Sequence, residues 1–169
     1  MEGIVNKVAE SGIITLDLET FYPKEEVVEL DIKDFLFMEM LLKEKEFREK
    51  LDQTDWIFYK EKIVAVFCST DAIIPMWAYM LVSTKLSPYA KEVFLGNKKE
   101  TIEKVVEKNI QQTNTDQFKD KRVVVKGCGD IEVSPSAYLS ISNKLLPVVK
   151  SLMYGEPCST VPVYKKKGL

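Results

Sequence analysis

The chain has 169 residues, 46% of them apolar and 30% charged, the balance of an ordinary globular protein with a single core. Its 24 basic and 26 acidic residues are spread along the sequence and leave a net charge of -2, so the basic field that nucleic-acid binding requires is missing. There is no histidine, which excludes Ser-His-Asp hydrolysis, Cys-His proteolysis and histidine-ligated zinc.

The opening residues MEGIVNKVAESG lack the cationic start and apolar run of a signal peptide, and no apolar stretch is long enough to span a bilayer. A cytoplasmic protein with no membrane partner is expected. Ile13 to Leu18 and Val27 to Ile32 alternate as strands do, with Tyr22-Pro23 as a break between them. Asp34 is placed to cap a helix running to about Leu51, whose buried stripe continues through Phe47 and Leu51. From Trp56, WIFY and IVAVF flank Lys60, Glu61 and Lys62 and read as a hairpin or as one strand feeding another. The second run is apolar on both faces, as a strand inside a sheet is, and it ends at Cys68. Ser69, Thr70 or Asp71 then caps the helix AIIPMWAYMLV, with Pro75 in its first turn. That helix is apolar all round, which predicts a central position with Trp77, Tyr79 and Met80 in the core.

Glu92 to Leu95 reads as a short strand closed by Gly96-Asn97, and Lys98 to Gln112 as an amphipathic helix with Ile102, Val105, Val106 and Ile110 on one face. After the polar QTNTDQFKDK comes RVVVKG, the second strongly β-branched run, ending at Gly127-Cys128-Gly129-Asp130. Ser134 and Pro135 make an N-cap and first-position pair for a helix through AYLSISNKLLPVVKSLMYG, kinked or divided at Pro147 and stopped at Gly155. From about residue 156 the chain reads as an extended basic tail, flanked by Pro157 and Pro162 and ending in a solvated run at Lys165, Lys166 and Lys167. No solenoid repeat is visible, and the two Cys-Ser-Thr triplets at 68–70 and 158–160 lie in different contexts. Strands alternating with helices predict one α/β domain over residues 1–169, with a mixed, mostly parallel sheet and helices on its faces. An α+β arrangement is the alternative, with the early strands and the Trp56 region antiparallel.

Three cysteines are too few for a disulfide framework, and in a reducing compartment they are free thiols, metal ligands or redox groups. Cys68 and Cys128 each end a strong strand just before a helix, at the edge where open parallel sheets bind ligands. If the two strands are neighbours and the tail carrying Cys158 returns across the sheet, Cys68, Cys128 and Cys158 meet as metal ligands. Helix amino ends stabilise a thiolate there, whereas Asp71, Asp130 and Glu156 oppose it if close. Gly127 and Gly129 suit a tight turn of positive φ that exposes Cys128, so Gly127, Cys128, Gly129 and Asp130 form the candidate cofactor-binding loop. Without histidine, three thiolates suit zinc, iron or an iron-sulfur cluster rather than magnesium or calcium. The structural reading of the same residues is that buried cysteine is a small apolar filler, above all Cys68 behind IVAVF. Tyr138 and Tyr154 are placed to border a pocket.

The stretches VKGCGDIEVSPSAY, VKSLMYGEPCSTVPVYKK and FCSTDAIIPMWAYMLV resemble the signature segments of an uncharacterised bacterial family, domain of unknown function 2480. The resemblance covers essentially the whole chain and carries no catalytic residue with it. What it implies is context, since such genes tend to lie near iron-sulfur cluster assembly genes, making iron-sulfur assembly proteins the expected partners. Two readings of function follow: an accessory protein that binds metal, an iron-sulfur cluster or sulfur through its thiols, and a non-enzymatic adaptor with structural cysteines. An enzyme working through Asp71 or Asp130 in a strand-end pocket has the least support.

Overall fold

Strands and helices alternate along the chain in a computed structural model that describes residues 12–127, 129, 131–156 and 158–167. In chain order they are β1 (Ile13–Asp17), β2 (Val27–Asp31), α1 (Glu44–Gln53), β3 (Ile63–Phe67), α2 (Met76–Leu86), β4 (Glu92–Leu95), α3 (Lys98–Gln112), β5 (Arg122–Lys126), α4 (Pro135–Leu145), β6 (Ser151–Glu156) and β7 (Ser159–Lys165). The fold is α/β. Its contacts divide it into two compact units, one of residues 23–104 and one of residues 1–22 with 105–169. We call them the inserted unit and the terminal unit. Among the described residues, no helix is long and apolar enough to cross a membrane.

In the inserted unit β2, β3 and β4 pair in that order, all parallel. β3 holds the centre because Ile63, Val64, Ala65 and Val66 are all buried, so β-branched side chains meet packing on both faces of the pleat. The core gathers Leu30, Val64 and Val66 from the sheet, Phe47 and Leu51 from α1, and Ala78, Val82 and Leu86 from α2. Each fully buried side chain of leucine or phenylalanine size contributes about 1.5–3 kcal/mol. In the terminal unit β1, β5 and β6 are parallel in that order, and β7 adds antiparallel to β6.

The two units are copies of one pattern. The first residues of β3, α2 and β4 recur displaced by 59 residues, from Ile63 to Arg122, from Met76 to Pro135 and from Glu92 to Ser151. The buried stripe of α2, Ala78, Val82 and Leu86, recurs in α4 as Ala137, Ile141 and Leu145. So do the left-handed residues Glu61 and Asp120, and the glycines Gly96 and Gly155 at φ +131° and +114°. Hydrogen bonds follow the same displacement: Lys91 N–H to the Lys62 carbonyl matches Lys150 to Lys121, at 2.8 Å in both. Thr54 Oγ1 to the Lys50 carbonyl likewise matches Thr113 to Asn109. The first strand of each sheet repeats at a different spacing, IITLDLETF against VVELDIKDF, and in both the aspartate that ends the strand caps a short 3-10 turn. No solenoid repeat was expected, and none is needed: a single duplication in which the chain of the inserted unit interrupts the sequence between β1 and β5 accounts for the pattern.

Four local expectations are corrected by this packing. The helix expected over 34–51 is only α1, because Asp31 caps a 3-10 turn at Ile32–Phe35. Met38 and Glu39 then take φ +48° and +60°, a reversal no right-handed helix can contain. WIFY is a 3-10 turn rather than a strand, fixed by Asp55 accepting from the Ile57 N–H and by the Trp56 Nε1 donating to the Leu51 carbonyl at 2.9 Å. Beyond Pro147 the pattern read as helix is instead β6, since SLMY pairs in register with Arg122 to Val125 of β5 and the proline has already ended the helix. Finally, α2 is not covered all round: Met76 and Met80 are 71% and 69% exposed. Its small and branched stripe faces the core while the methionines face out.

Candidate functional site

Two kinds of feature carry chemistry in each unit, the loop after the central strand and a groove along the helix that follows. In the inserted unit β3 runs into Cys68-Ser69-Thr70, beside Asp31 at the end of β2. Asp31 Oδ1 accepts from the Lys33 N–H at 2.9 Å and from the Ser69 N–H at 3.1 Å, so one carboxylate ties both strand ends together. Desolvation of this carboxyl pushes its pKa up, but the Ser69 hydroxyl and the Lys33 and Ser69 amides stabilise the anion and the net shift is downward. Cys68 is half-buried against the apolar cluster. The Tyr79 hydroxyl is held above its ordinary pKa first by burial and then by Cys68.

The lowered Asp31 pKa fixes the sign of its pH dependence. Its contribution is present above the ordinary aspartate range near ~3.9 and is lost as the pH falls through the lower folded value. Asp31→Asn is therefore expected to lower stability at pH 7 by about 0.5–1.5 kcal/mol, and the gap from wild type should narrow by pH 3. Urea unfolding at the two pH values measures it, and a gap of constant size would refute the linkage.

In the terminal unit β5 runs into Gly127, where a Cβ would overlap the Tyr138 hydroxyl, and Gly129, where it would overlap the Glu19 carboxylate. A side chain at either position would require Tyr138 or Glu19 to move aside. Gly127 does not take the positive φ expected of it. Cys128 and Asp130 lie outside the described residues. Nearby, Lys126 pairs with Glu156 at 3.3 Å, which raises the lysine pKa, with Asp17 and Glu19 adding to it.

β3 and β5 are not neighbours, since each is an inner strand of a different sheet. Cys68 belongs to the inserted unit, whereas Cys158 lies exposed between β6 and β7 in the terminal unit. The tail does fold back, as β7 along β6 from Glu156–Ser159 to Ser151–Lys165. Among the described residues no three His, Cys, Asp or Glu side chains come together to hold a metal.

Tyr138 and Tyr154 do border a pocket, and it is one of a pair of grooves that the sequence reading did not place. One, of about 510 Å³, is lined by Val66, Met76, Tyr79, Met80, Ser83, Val93, Phe94 and Leu95. The other, of about 590 Å³, is lined by Val125, Pro135, Tyr138, Leu139, Ser142, Leu152, Met153, Tyr154 and, from β7, Val163. The first eight residues of each list are equivalent, position by position, under the displacement of 59. Tyr138 and Tyr154 meet edge-on there with ring centroids 5.7 Å apart. The outward residue of each helix, Met80 or Leu139, is 69% or 68% exposed, so the apolar lip of the groove is equally open in both units. The signal was present in the sequence as matches at that spacing, among them Ala78-Tyr79 with Ala137-Tyr138, Lys85-Leu86 with Lys144-Leu145, and Pro88 with Pro147.

Residues 2–166 match the family model described as protein of unknown function (DUF2480). No curated protein and no solved structure matches the chain.

Proposed function

The chain belongs to the DUF2480 family, and from that premise we propose that it is a non-enzymatic adaptor that binds other proteins through its two grooves. One observation supports the reading: the same open apolar groove is built twice, with Met80 and Leu139 exposed at equivalent places. Contiguous exposed apolar surface is costly in water and marks interaction sites. Methionines at the inserted groove add a side chain that adapts to varied partners. The partner class comes from the family context, iron-sulfur cluster assembly proteins, with the cytoplasm as the place of action, where thiols stay reduced. The test is binding of an intact iron-sulfur assembly protein by the purified chain, read by calorimetry. A Cys68→Ser, Cys128→Ser, Cys158→Ser triple variant is expected to keep its affinity within about twofold, and loss of binding would overturn the adaptor reading.

A second reading has its own support. Under the duplication, Cys68 and Cys128 stand one position apart in equivalent strand-end loops, and Cys158 is exposed. Here Cys68, Cys128 and Cys158 bind zinc, iron, an iron-sulfur cluster or sulfur, Gly127 and Gly129 shape the loop, and Asp130 completes the ligand set. Protein purified without oxygen would then carry metal or sulfide that Cys128→Ser releases. Metal-free and sulfide-free protein would refute it.

A further inference from the structure

Where β5 and β6 begin and β7 finishes, strand register places Arg122, Ser151 and Lys165 side by side. The next row out is Lys121, Lys150 and Lys166, joined by the Lys150 N–H donating to the Lys121 carbonyl at 2.8 Å and the Lys166 N–H to the Lys150 carbonyl at 2.9 Å. Every residue of the two rows is basic except Ser151. Lys166 pairs with Asp120 at 3.5 Å. Lys121, Arg122, Lys150 and Lys165 are exposed and, among the described residues, stand in no ion pair. Arg122, Lys150 and Lys165 line a concave site of about 460 Å³, and the described residues around it include no carboxylate.

The duplication shows that this charge is not a requirement of the fold. Under the displacement of 59, Lys121 and Lys150 correspond to Lys62 and Lys91, and there both cations are balanced, Lys62 by Glu26 at 3.0 Å and Lys91 by Glu25. Glu25 and Glu26 stand just before β2, whereas the equivalent places before β1 are Ser11 and Gly12 in the sequence. Arg122 and Ser151 correspond to Ile63 and Glu92, so the terminal unit has a cation and lacks a carboxylate at these positions as well. One sheet end is neutralised from within its own unit. The other gathers like charges, which repel when set side by side, around an open cavity.

We propose that this pocket binds a small phosphorylated organic anion, with Arg122, Lys150 and Lys165 neutralising its phosphate oxygens and Met153 and Pro162 seating its apolar part. The volume lies within the roughly 300–1,000 Å³ of small-molecule sites. Arginine offers phosphate a two-point fork and each lysine a mobile point charge. The cations come from separate stretches of chain, an arrangement that suits the tetrahedral oxygens of a phosphate better than the flat face of a carboxylate. Ser151 and Tyr164 add hydroxyls to the lining, which donate to an anion. A cleft lined by one sign of charge focuses its field and draws the oppositely charged ligand in. The site goes beyond the adaptor reading: it uses no cysteine, and of its lining residues Met153 alone is shared with the terminal groove.

ADP is the probe for such an anion, pyrophosphate for its phosphate part alone, and citrate for a carboxylate of similar charge. Each is titrated into the isotope-labelled full chain and followed by amide chemical shifts. ADP is expected to give saturable shifts at Arg122, Ser151 and Lys165, with an affinity about threefold or more above that of pyrophosphate and about tenfold above that of citrate. Arg122→Gln and Lys150→Gln remove exposed cations without touching the core, and each should weaken ADP binding about tenfold. Ser151→Glu installs the charge that its counterpart Glu92 carries and should abolish saturation. Lys91→Gln, the equivalent change in the inserted unit, should alter the affinity by less than about twofold. Failure of ADP to saturate these signals, equal affinity for pyrophosphate or citrate, or an equal loss with Lys91→Gln and Lys150→Gln overturns the proposal. A single-stranded oligonucleotide that binds the same residues more tightly than ADP also overturns it, assigning the cations to a nucleic-acid backbone.

Discussion

Phe47→Ala is expected to remove about 3–5 kcal/mol of stability, the largest loss at any single site considered. Phe47 is fully buried, and its ring meets Phe35 edge-on at 6.1 Å and Trp77 edge-on at 5.9 Å. It is the pivot where α1, α2 and the 3-10 turn after β2 share one aromatic cluster. Truncation forfeits the transfer free energy of the ring, leaves a cavity among stiff neighbours, and ends two favourable edge contacts. Urea unfolding followed by tryptophan fluorescence reads both the loss and the altered setting of Trp77. A loss below about 1 kcal/mol would mean that the cluster closes over the cavity.

Gly155→Ala is the second, with an expected cost of about 2–4 kcal/mol. Gly155 sits at φ +114°, a conformation that L side chains rarely adopt, and an added Cβ would stand 2.6 Å from the backbone carbonyl oxygen of Ser159. Relief requires the Ser159 end of β7 to move away from β6. The equivalent Gly96, at φ +131°, provides the control, since its Cβ would meet the end of the Glu100 side chain, which can swing aside. Gly96→Ala should therefore cost about 1 kcal/mol less, the loss being mainly strain and one bond of the capping box. Thermal unfolding of both variants gives the order, and the reverse order would refute the assignment of backbone conflict at Gly155.

Gly155→Ala also bears on the terminal groove, because Val163 of β7 is part of its lining.

Local chemistry in the sequence was enough to determine the α/β class, the parallel central strands IVAVF and RVVVK, the amphipathic α3, and the Ser134-Pro135 start of α4. Each is specified by side-chain periodicity or by the needs of unpaired amides within a few residues. The candidate site was legible only in part. The strand-end loops were located, but whether their thiols meet depends on which strands are neighbours, and pairing is a long-range property on which hydrophobic patterning is silent. Asp31 was missed for the same reason, since its bond to the Ser69 amide joins residues far apart in the chain.

Only tertiary structure decided that SLMYGE is a strand, because pairing with β5 outweighs a helical pattern that Pro147 had already interrupted. Tertiary structure likewise turned the methionines of α2 outward. Apolar residues on every side of a helix cannot show which face the sheet will cover, and here the small stripe of Ala78 and Val82 allows the closer approach. The duplication stands between the two. Its matches at a spacing of 59 are in the sequence, yet their meaning, one groove built twice, exists only once each sheet is seen with the helix that packs beside it.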